Sequence, residues 1–289
     1  MDAAALIERA LDEAVAYALA PSGPPRLGEA MRYAVFPGGA RIRPRLCFAV
    51  AWACGDNDPM IAVAAAASIE LLHCASLVHD DLPCFDDAAM RRGKPSVHRA
   101  YGENLAVLTG DALIVLGFET LVRGVVRRPE RLVPLVQIVG RAVGAPHGIV
   151  AGQAWECEPC VSLADYHRAK TGALFAAATV AGAAAVGADA EPWRAVGELI
   201  GEAYQVADDI ADMHATQEDL GKPVGRDMAL GRPSAVRELG IGGAMARLQD
   251  LIDHAVQLIP PCPGEAQLRA LIQKETRRFL PKELALCAA

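Results

Sequence analysis

Aromatic residues and strand-like patterns are both scarce in this sequence. Aromatic residues make up 5% of the chain, whereas hydrophobic residues make up 53%, and alanine is abundant among them. Alanine is the strongest helix former, and few stretches alternate Val, Ile or Thr with polar residues as half-buried strands do. The composition therefore predicts an all-α fold with enough apolar residues for a sizeable core.

Basic stripes, disulfide spacings and a secretory leader are also missing. The net charge of −7, without any basic stripe, argues against nucleic-acid binding. The eight cysteines are scattered in neither a disulfide framework nor a four-ligand zinc spacing. The acidic segment MDAAALIERALDEA is unlike a signal peptide, so we expect a cytoplasmic protein. The longest apolar run, Ala173 to Ala188, consists mainly of Ala and Gly, which predicts a buried helix rather than a membrane span.

Helical periodicity recurs from end to end and is interrupted only by short breaks rich in Pro and Gly. No linker or low-complexity segment divides the chain. The predicted helices cover about 3–20, 24–36, 44–54, 58–80, 103–126, 130–145, 163–187, 191–213, 243–258 and 263–280. Ten or so helices with short joints and no strand signal predict one all-α domain.

A first acidic cluster lies where a predicted apolar helix ends. Asp80, Asp81, Asp86 and Asp87 fall within eight residues. Like charges 4 Å apart repel by about 1 kcal/mol even in water, and a helix C-terminus is the unfavourable end for negative charge. A solvated acidic helix end is the simpler interpretation, but an apolar helix that turns acidic only at its terminus favours a metal site. Pro83 ends the helix and lets Asp86 return toward Asp80.

A second acidic cluster follows another apolar helix. Asp208 and Asp212 are four residues apart and therefore share one helix face, with Asp209 beside it. Magnesium prefers oxygen ligands and takes one or two carboxylates together with waters and phosphate oxygens. Two such clusters facing each other across a helix bundle would hold Mg²⁺ ions that bind an anionic substrate.

Basic residues stand beside these acidic clusters and beside glycine turns. They are Arg41 and Arg43 in PGGARIRPRL, Arg91 and Arg92 after the first cluster, Lys170 in HRAKTG and Lys222 in DLGKPVG. Any single one is most simply a surface cation. Together they predict diphosphate binding, since Arg suits planar two-pronged phosphate contacts and Lys a point contact.

These motifs resemble those of the polyprenyl diphosphate synthases, or trans-prenyltransferases. The stretch HDDLPCFDDAAMRRGKPSVH is similar to the family's first Asp-rich motif in its long DDxxxxD form, and QVADDIAD to the second, DDxxD. Three further blocks, PGGARIRP, KTG and GKPVGRD, occur in the family's order. The likeness runs from Tyr33 to Ser234 and is greatest to bacterial geranylgeranyl diphosphate synthases of carotenoid pathways.

The resemblance implies a fold and an activity. The fold would be a single polyprenyl synthase domain, 1–289, whose helices surround a central apolar cavity. The activity would be the Mg²⁺-dependent, head-to-tail condensation of isopentenyl diphosphate with an allylic diphosphate, giving mainly the C20 product geranylgeranyl diphosphate. It also implies three Mg²⁺ ions per active site and a homodimer with a long helical interface.

The resemblance further implies a role for each matching residue. Metal ligands would be Asp80 and Asp86 with Asp81 in support, and Asp208 with Asp209 and Asp212 near the metal. The allylic diphosphate would be bound by Arg91, Lys170 and Lys222, and isopentenyl diphosphate by Arg43, His73 and Arg92. Thr171 and Gln205 would steady the allylic carbocation and its diphosphate.

One departure from the family pattern leaves other functions open. Ala40 stands where the family usually has a Lys that contacts isopentenyl diphosphate. The loss either weakens that substrate or is compensated by a neighbour such as Arg41. A catalytically weak regulatory subunit therefore stays an alternative, as do a C15 farnesyl diphosphate synthase and a class I terpene cyclase. A cyclase needs no second diphosphate site, so Arg43, His73 and Arg92 argue against it.

Product length is predicted to depend on Ala75 and Ser76, which lie about one helical turn before Asp80. Related C15 synthases tend to carry an aromatic residue at the position of Ala75, so a small side chain there would let the product grow to C20. Replacing Ala75 with Phe or Tyr should shorten the main product to C15, as measured by chromatography of the dephosphorylated products. A variant that still makes C20 would refute this assignment of the tunnel.

Overall fold

The computed structural model describes residues 2–19, 23–55, 58–159, 166–214 and 234–276, without the side chains of 212–214. Within these residues the chain is mostly helical. The α-helices are α1 (Ala3–Ala18), α2 (Pro25–Val35), α3 (Ile42–Ala53), α4 (Pro59–Asp80), α5 (Val97–Tyr101), α6 (Glu103–Gly124), α7 (Leu132–Val143), α8 (Ile149–Ala154), α9 (Ala173–Val186), α10 (Trp193–His214), α11 (Ala235–Gln257) and α12 (Glu265–Thr276). The prediction of an all-α fold is confirmed.

Short elements between the long helices escaped the sequence prediction. They are the helices α5 and α8, the strands β1 (Met90–Arg91) and β2 (Lys94–Pro95), and the 3-10 helix Trp155–Cys157. The 3-10 helix Pro129–Arg131 and the π-helix Arg168–Gly172 overlap predicted helices but are not α-helical. The prediction of no strands is wrong, because the structure contains an antiparallel hairpin in which Arg91 pairs with Lys94. Its turn uses left-handed backbone at Arg92 and Gly93, with φ of 54° and 75°. Strands of two residues are too short to produce an alternating pattern.

Helix α11 begins eight residues before its predicted start. The reason is Gly240, whose φ of 69° breaks the helical path between residues 235–239 and the rest of α11. Glycine adopts such angles without a steric penalty, so a short first helical piece joins the longer one. The predicted helix, 243–258, begins only after this glycine-rich stretch.

Small residues let the central helices approach closely. α4 packs along α6 and α3, and α9 packs on α3, α4 and α10. A Cβ atom added at Gly182 of α9 would lie 2.4 Å from the carbonyl oxygen of Cys47 in α3. One added at Gly197 of α10 would lie 2.5 Å from the Cα atom of Ala176 in α9. Backbone contact of this kind holds the helices that carry the acidic motifs in a fixed arrangement.

Among the described residues, three helical segments are long and apolar enough to cross a membrane, judged by length and composition alone. They are 59–80, 103–124 and 168–186. The argument from length against a span at Ala173 to Ala188 was therefore wrong, because the continuous helix begins earlier, at Arg168. The prediction of a buried helix is confirmed: residues 174–185 are all buried. In 59–80 and 168–186, 83% and 78% of the most apolar window is buried in the protein, against 44% in 103–124.

The close contact of α9 with α3 gives a stability prediction. Gly182→Ala should lower the free energy of unfolding by about 1–3 kcal/mol, because its methyl group would overlap the Cys47 carbonyl. Gly242→Ala in α11 is the control, since a Cβ there meets nothing within 4 Å and alanine favours helix. Urea unfolding of both variants checks this; equal stability of the two would contradict the close packing.

Candidate functional site

The first acidic motif forms a tight return of the chain at the end of α4. The backbone N–H of Asp86 donates to the carbonyl of Asp80 at 3.0 Å, and that of Ala88 donates to Asp81 at 3.1 Å. The predicted return of Asp86 toward Asp80 is confirmed. His79, one residue earlier, places its ring nitrogen Nε2 at hydrogen-bonding distance, 3.1 Å, from the Val107 carbonyl.

Asp81 is engaged in an ion pair inside the protein. Its carboxylate is 2% exposed and accepts two hydrogen bonds from the Arg91 guanidinium, from Nε at 3.0 Å and from Nη2 at 2.5 Å. Burial raises the pKa of Asp81, and Arg91 opposes that rise. The hairpin that carries Arg91 is thereby fixed to the end of α4 by a charge-assisted contact.

The second acidic motif lies on α10. Asp208 is partly exposed, whereas Asp209 is buried and accepts hydrogen bonds from Gln205 Nε2 at 3.1 Å and from the Ala235 backbone N–H at 2.8 Å. Burial raises the pKa of Asp209, and the Ala235 N–H opposes the rise. Asp209 thus anchors the start of α11. The Asp212 side chain and Lys222 lie outside the described residues.

Lys170 and Thr171 connect the two motifs across the bundle. The Lys170 ammonium lies 3.4 Å from Asp80 Oδ1 and 2.5 Å from Glu156 Oε1. The Thr171 hydroxyl donates to Gln205 Oε1 at 3.1 Å, one turn before Asp209. Both residues lie in the π-helix Arg168–Gly172, a rare element that is frequent at functional sites. Burial alone would lower the pKa of Lys170, but Asp80, Tyr166 and Glu156 together raise it, so the ammonium stays charged.

The oxygen donors of these motifs fit magnesium that is shared with a substrate. Among the described side chains, no three Asp, Glu, His or Cys residues converge into a closed metal cage. Magnesium usually takes one or two protein carboxylates and completes its shell with water and phosphate oxygens. Asp80, Asp86 and Asp208 offer only such oxygens, and the cation Lys170, 3.4 Å from Asp80, suits a diphosphate.

A second cationic group lies next to the first motif. Arg43 Nη1 is 3.4 Å from His73 Nε2, and its guanidinium stacks 4.4 Å from the centre of the Phe175 ring. Arg92 lies against Gly39, where an added Cβ would be 3.2 Å from its Nε. Burial, followed by the charges of Arg43, Arg92, Arg91 and Arg41, holds the pKa of His73 well below its usual value. The three residues predicted to bind the second diphosphate are therefore brought together.

Arg41 does not replace the missing lysine at position 40. Its guanidinium turns into the protein and donates to Glu70 at 2.6 Å, to Glu8 at 2.7 Å and to the Val35 carbonyl at 2.9 Å. The hypothesis that Arg41 compensates for Ala40 is wrong for this reason. Another cation, Arg92, lies against Gly39, the residue that precedes Ala40.

Two carboxylates that organise the cations were not assigned a chemical role from the sequence. Glu70 is 2% exposed and faces Arg41 and Arg92, the latter at 3.9 Å. Glu156 binds Lys170. A lone Glu in the apolar stretch AAAASIELLH was the available signal for Glu70, since buried carboxylates are almost always paired. Of the chain-length residues, Ala75 is buried and Ser76 donates to the His73 carbonyl at 2.8 Å.

The fold and the site define an enzyme of the isoprenoid-joining class, and comparison with known proteins agrees. The family model described as polyprenyl synthetase matches residues 24–257. The chain is 54% identical over 279 residues to the geranylgeranyl diphosphate synthase of Cereibacter sphaeroides, covering 96% of this chain and 97% of that protein. The synthase of the same name from Rhodobacter capsulatus is 52% identical over 278 residues, covering 95% and 96%.

Solved structures give the same result. A geranyltransferase from Helicobacter pylori, complexed with magnesium and isoprenyl diphosphate, is 30% identical with a TM-score of 0.79, covering 96% of this chain and 98% of that one. An FPP/GFPP synthase from Zymomonas mobilis is 30% identical with a TM-score of 0.78, covering 95% and 99%. The chain belongs to the polyprenyl synthetase family and is a prenyltransferase.

The depressed pKa of His73 predicts a pH dependence of stability. The unfolded chain takes up a proton at this residue near pH 6.5, whereas the folded chain does not, so stability should fall as the pH drops below 6.5. The contribution is up to about 1.4 kcal/mol per pH unit. In urea unfolding at pH 5, 7 and 8, the free energy of unfolding should fall more between pH 7 and 5 for wild type than for His73→Asn. The stability difference between the two proteins should be the same at pH 7 and at pH 8. Parallel curves at every pH would contradict it.

Proposed function

We propose that this chain condenses isopentenyl diphosphate with an allylic diphosphate, head to tail and with Mg²⁺, and releases mainly C20 geranylgeranyl diphosphate. The observation that carries the proposal is the junction at Lys170 and Thr171, which ties the two acidic motifs together beside a separate group of Arg43, His73 and Arg92. Two adjacent anion sites suit two diphosphate substrates. The names of the bacterial relatives support the C20 product.

The allylic substrate would bind at the acidic motifs. Asp80, Asp86 and Asp208 would hold Mg²⁺, three ions in all, with Asp81, Asp209 and Asp212 nearby. Bound Mg²⁺ supplies Lewis-acid stabilisation for the departing diphosphate. Lys170, Arg91 and Lys222 would contact the same diphosphate as the C–O bond breaks, and they would stabilise its growing negative charge.

The second substrate would bind at the cationic group. Arg43 and Arg92 would hold the diphosphate of isopentenyl diphosphate, while the neutral ring of His73 orients it by hydrogen bonding. The double bond of isopentenyl diphosphate then attacks the allylic carbon to form the new C–C bond, and a proton leaves to the released diphosphate. Thr171 and Gln205 would face the carbocation with oxygen atoms, and the apolar helices would exclude water from it.

Product analysis tests the proposed function directly. The purified chain is incubated with Mg²⁺, isopentenyl diphosphate and a C5, C10 or C15 allylic starter, and the main product should be C20 from each. A C15 end product would instead support a farnesyl diphosphate synthase. A cyclised hydrocarbon from allylic diphosphate alone would support a terpene cyclase, and lack of product would support a regulatory subunit.

The chain is further proposed to act as one domain and as a homodimer in the cytoplasm. The main core and the smaller core beneath α11 share Leu199 of α10, which supports a single domain over 1–289. On α6, Leu108, Val115 and Val122 are seven residues apart and 51%, 58% and 50% exposed. Such spacing places them in one stripe, as in helix pairing between subunits. Coverage of this stripe by a second copy, rather than by lipid, is the proposed arrangement.

A charge placed in the α6 stripe should dissociate the dimer. Val115→Asp would bury an unpaired carboxylate between two copies, so light scattering after gel filtration should give the mass of one chain instead of two. Leu239→Asp is the control, because Leu239 is equally exposed at 52% but lies on α11 and not on α6. A monomeric wild type, or a Val115→Asp variant that stays dimeric, would overturn the assigned interface.

A further inference from the structure

Glu156 has the closest contact with Lys170, although the chemistry of the proposed reaction gives it no direct task. Glu156 Oε1 lies 2.5 Å from the Lys170 ammonium, whereas Asp80 Oδ1 lies 3.4 Å from it. The three side chains are 15–22% exposed. At such partial burial, opposite charges attract more strongly than in water. The ammonium is therefore shared unequally between two carboxylates, and Glu156 holds the larger share.

Two neutral donors keep the Glu156 carboxylate in place. The Tyr166 hydroxyl donates to its Oε1 at 2.5 Å, and Gln153 Nε2 donates to its Oε2 at 3.0 Å. Hydrogen bonds to both oxygens favour the charged form and fix its orientation. Glu156 is thus held in position by its own neighbours and does not depend on Lys170 for its placement.

The backbone fixes the distance between Glu156 and Lys170. A Cβ atom added at Gly152 of α8 would lie 2.4 Å from the backbone nitrogen of Lys170 and 2.6 Å from its Cα atom. Only glycine permits this approach. Helix α8 therefore packs directly against the π-helix. The 3-10 turn that follows α8 places Glu156 at a fixed position beside Lys170.

A competition for Lys170 follows from this geometry. Without Glu156, the ammonium has Asp80 as its remaining described ion-pair partner. A cation attached to Asp80 would oppose the binding of Mg²⁺ at that carboxylate and would also be withdrawn from the diphosphate. The arrangement matters only if Asp80 binds Mg²⁺, so the inference rests on the proposed function.

We propose that Glu156 is a positioning residue that holds the Lys170 ammonium off Asp80, so that Asp80 is available to Mg²⁺ and Lys170 to the allylic diphosphate. Residues that orient metal ligands from outside the ligand shell typically change metal affinity by about 10–100-fold when replaced. Glu156 acts here by restraining a competing cation and not by contacting the metal.

The test measures Mg²⁺ binding without turnover. Thermal unfolding is followed in saturating inorganic diphosphate while Mg²⁺ is titrated. Glu156→Gln should raise the Mg²⁺ concentration needed for half-maximal stabilisation by about tenfold. Glu158→Gln is the matched control. Glu158 is exposed and lies two residues after Glu156, so its replacement removes the same charge and should leave the Mg²⁺ midpoint unchanged. In steady-state assays, Glu156→Gln should raise KM for the allylic substrate and not for isopentenyl diphosphate.

A double substitution separates positioning from other roles. In a Lys170→Met background the competing cation is gone, so adding Glu156→Gln should cause no further shift of the Mg²⁺ midpoint. A further shift there would show that Glu156 acts independently of Lys170, and an unchanged midpoint in the single variant would also overturn the proposal. If Glu156→Gln does not fold, Glu156→Asp serves instead, and it should retain the charge with a smaller shift.

Failure of the proposed function is distinguishable from failure of this inference. A wild-type chain that makes no prenyl product would remove the proposed reaction. The Mg²⁺ midpoint in inorganic diphosphate is measurable in that case too, and it alone decides whether Glu156 restrains Lys170.

Discussion

Repulsion among carboxylates at the ends of two apolar helices is the constraint on which the rest of the site depends. Asp80, Asp81 and Asp86 are held together by a turn whose backbone hydrogen bonds leave them little freedom to separate. The protein answers with cations from elsewhere in the chain: Arg91 from the hairpin and Lys170 from the π-helix. The resulting cluster is stable as a whole only when negative and positive groups stay interleaved, and bound Mg²⁺ would extend the same pattern.

Much of the fold and many site residues were predictable from the sequence, because the signals are local. An apolar helix that ends in Asp80 and the four-residue spacing of Asp208 and Asp212 require no knowledge of distant contacts. The fate of Arg41 could not be predicted in this way. Its position after a Gly-Gly turn suggested an exposed anion-binding side chain, yet Glu70, 29 residues away, draws it inward. The partner of a charged side chain such as Arg41 depends on which helices pack together, and helical periodicity does not specify which helices do so.

Close helix packing is what makes the site's geometry reproducible. Gly182 and Gly197 bring α3, α9 and α10 into backbone contact, and Gly152 does the same for α8 and the π-helix. Interfaces of this kind leave no space for side chains to adjust. These glycines therefore set how accurately carboxylates on different helices are placed.

Alternating charges run from the protein's surface to its second anion site. Glu8 on α1 is paired with Arg41, Arg41 with Glu70, and Glu70 lies 3.9 Å from Arg92. Helix α1 is therefore linked to the second anion site through this series of charges. A shortened chain that begins after α1 would keep its aspartate motifs but leave Arg41 with one counter-charge instead of two. Glu70 would then be drawn more strongly to Arg41, and its attraction to Arg92 at the second anion site would change.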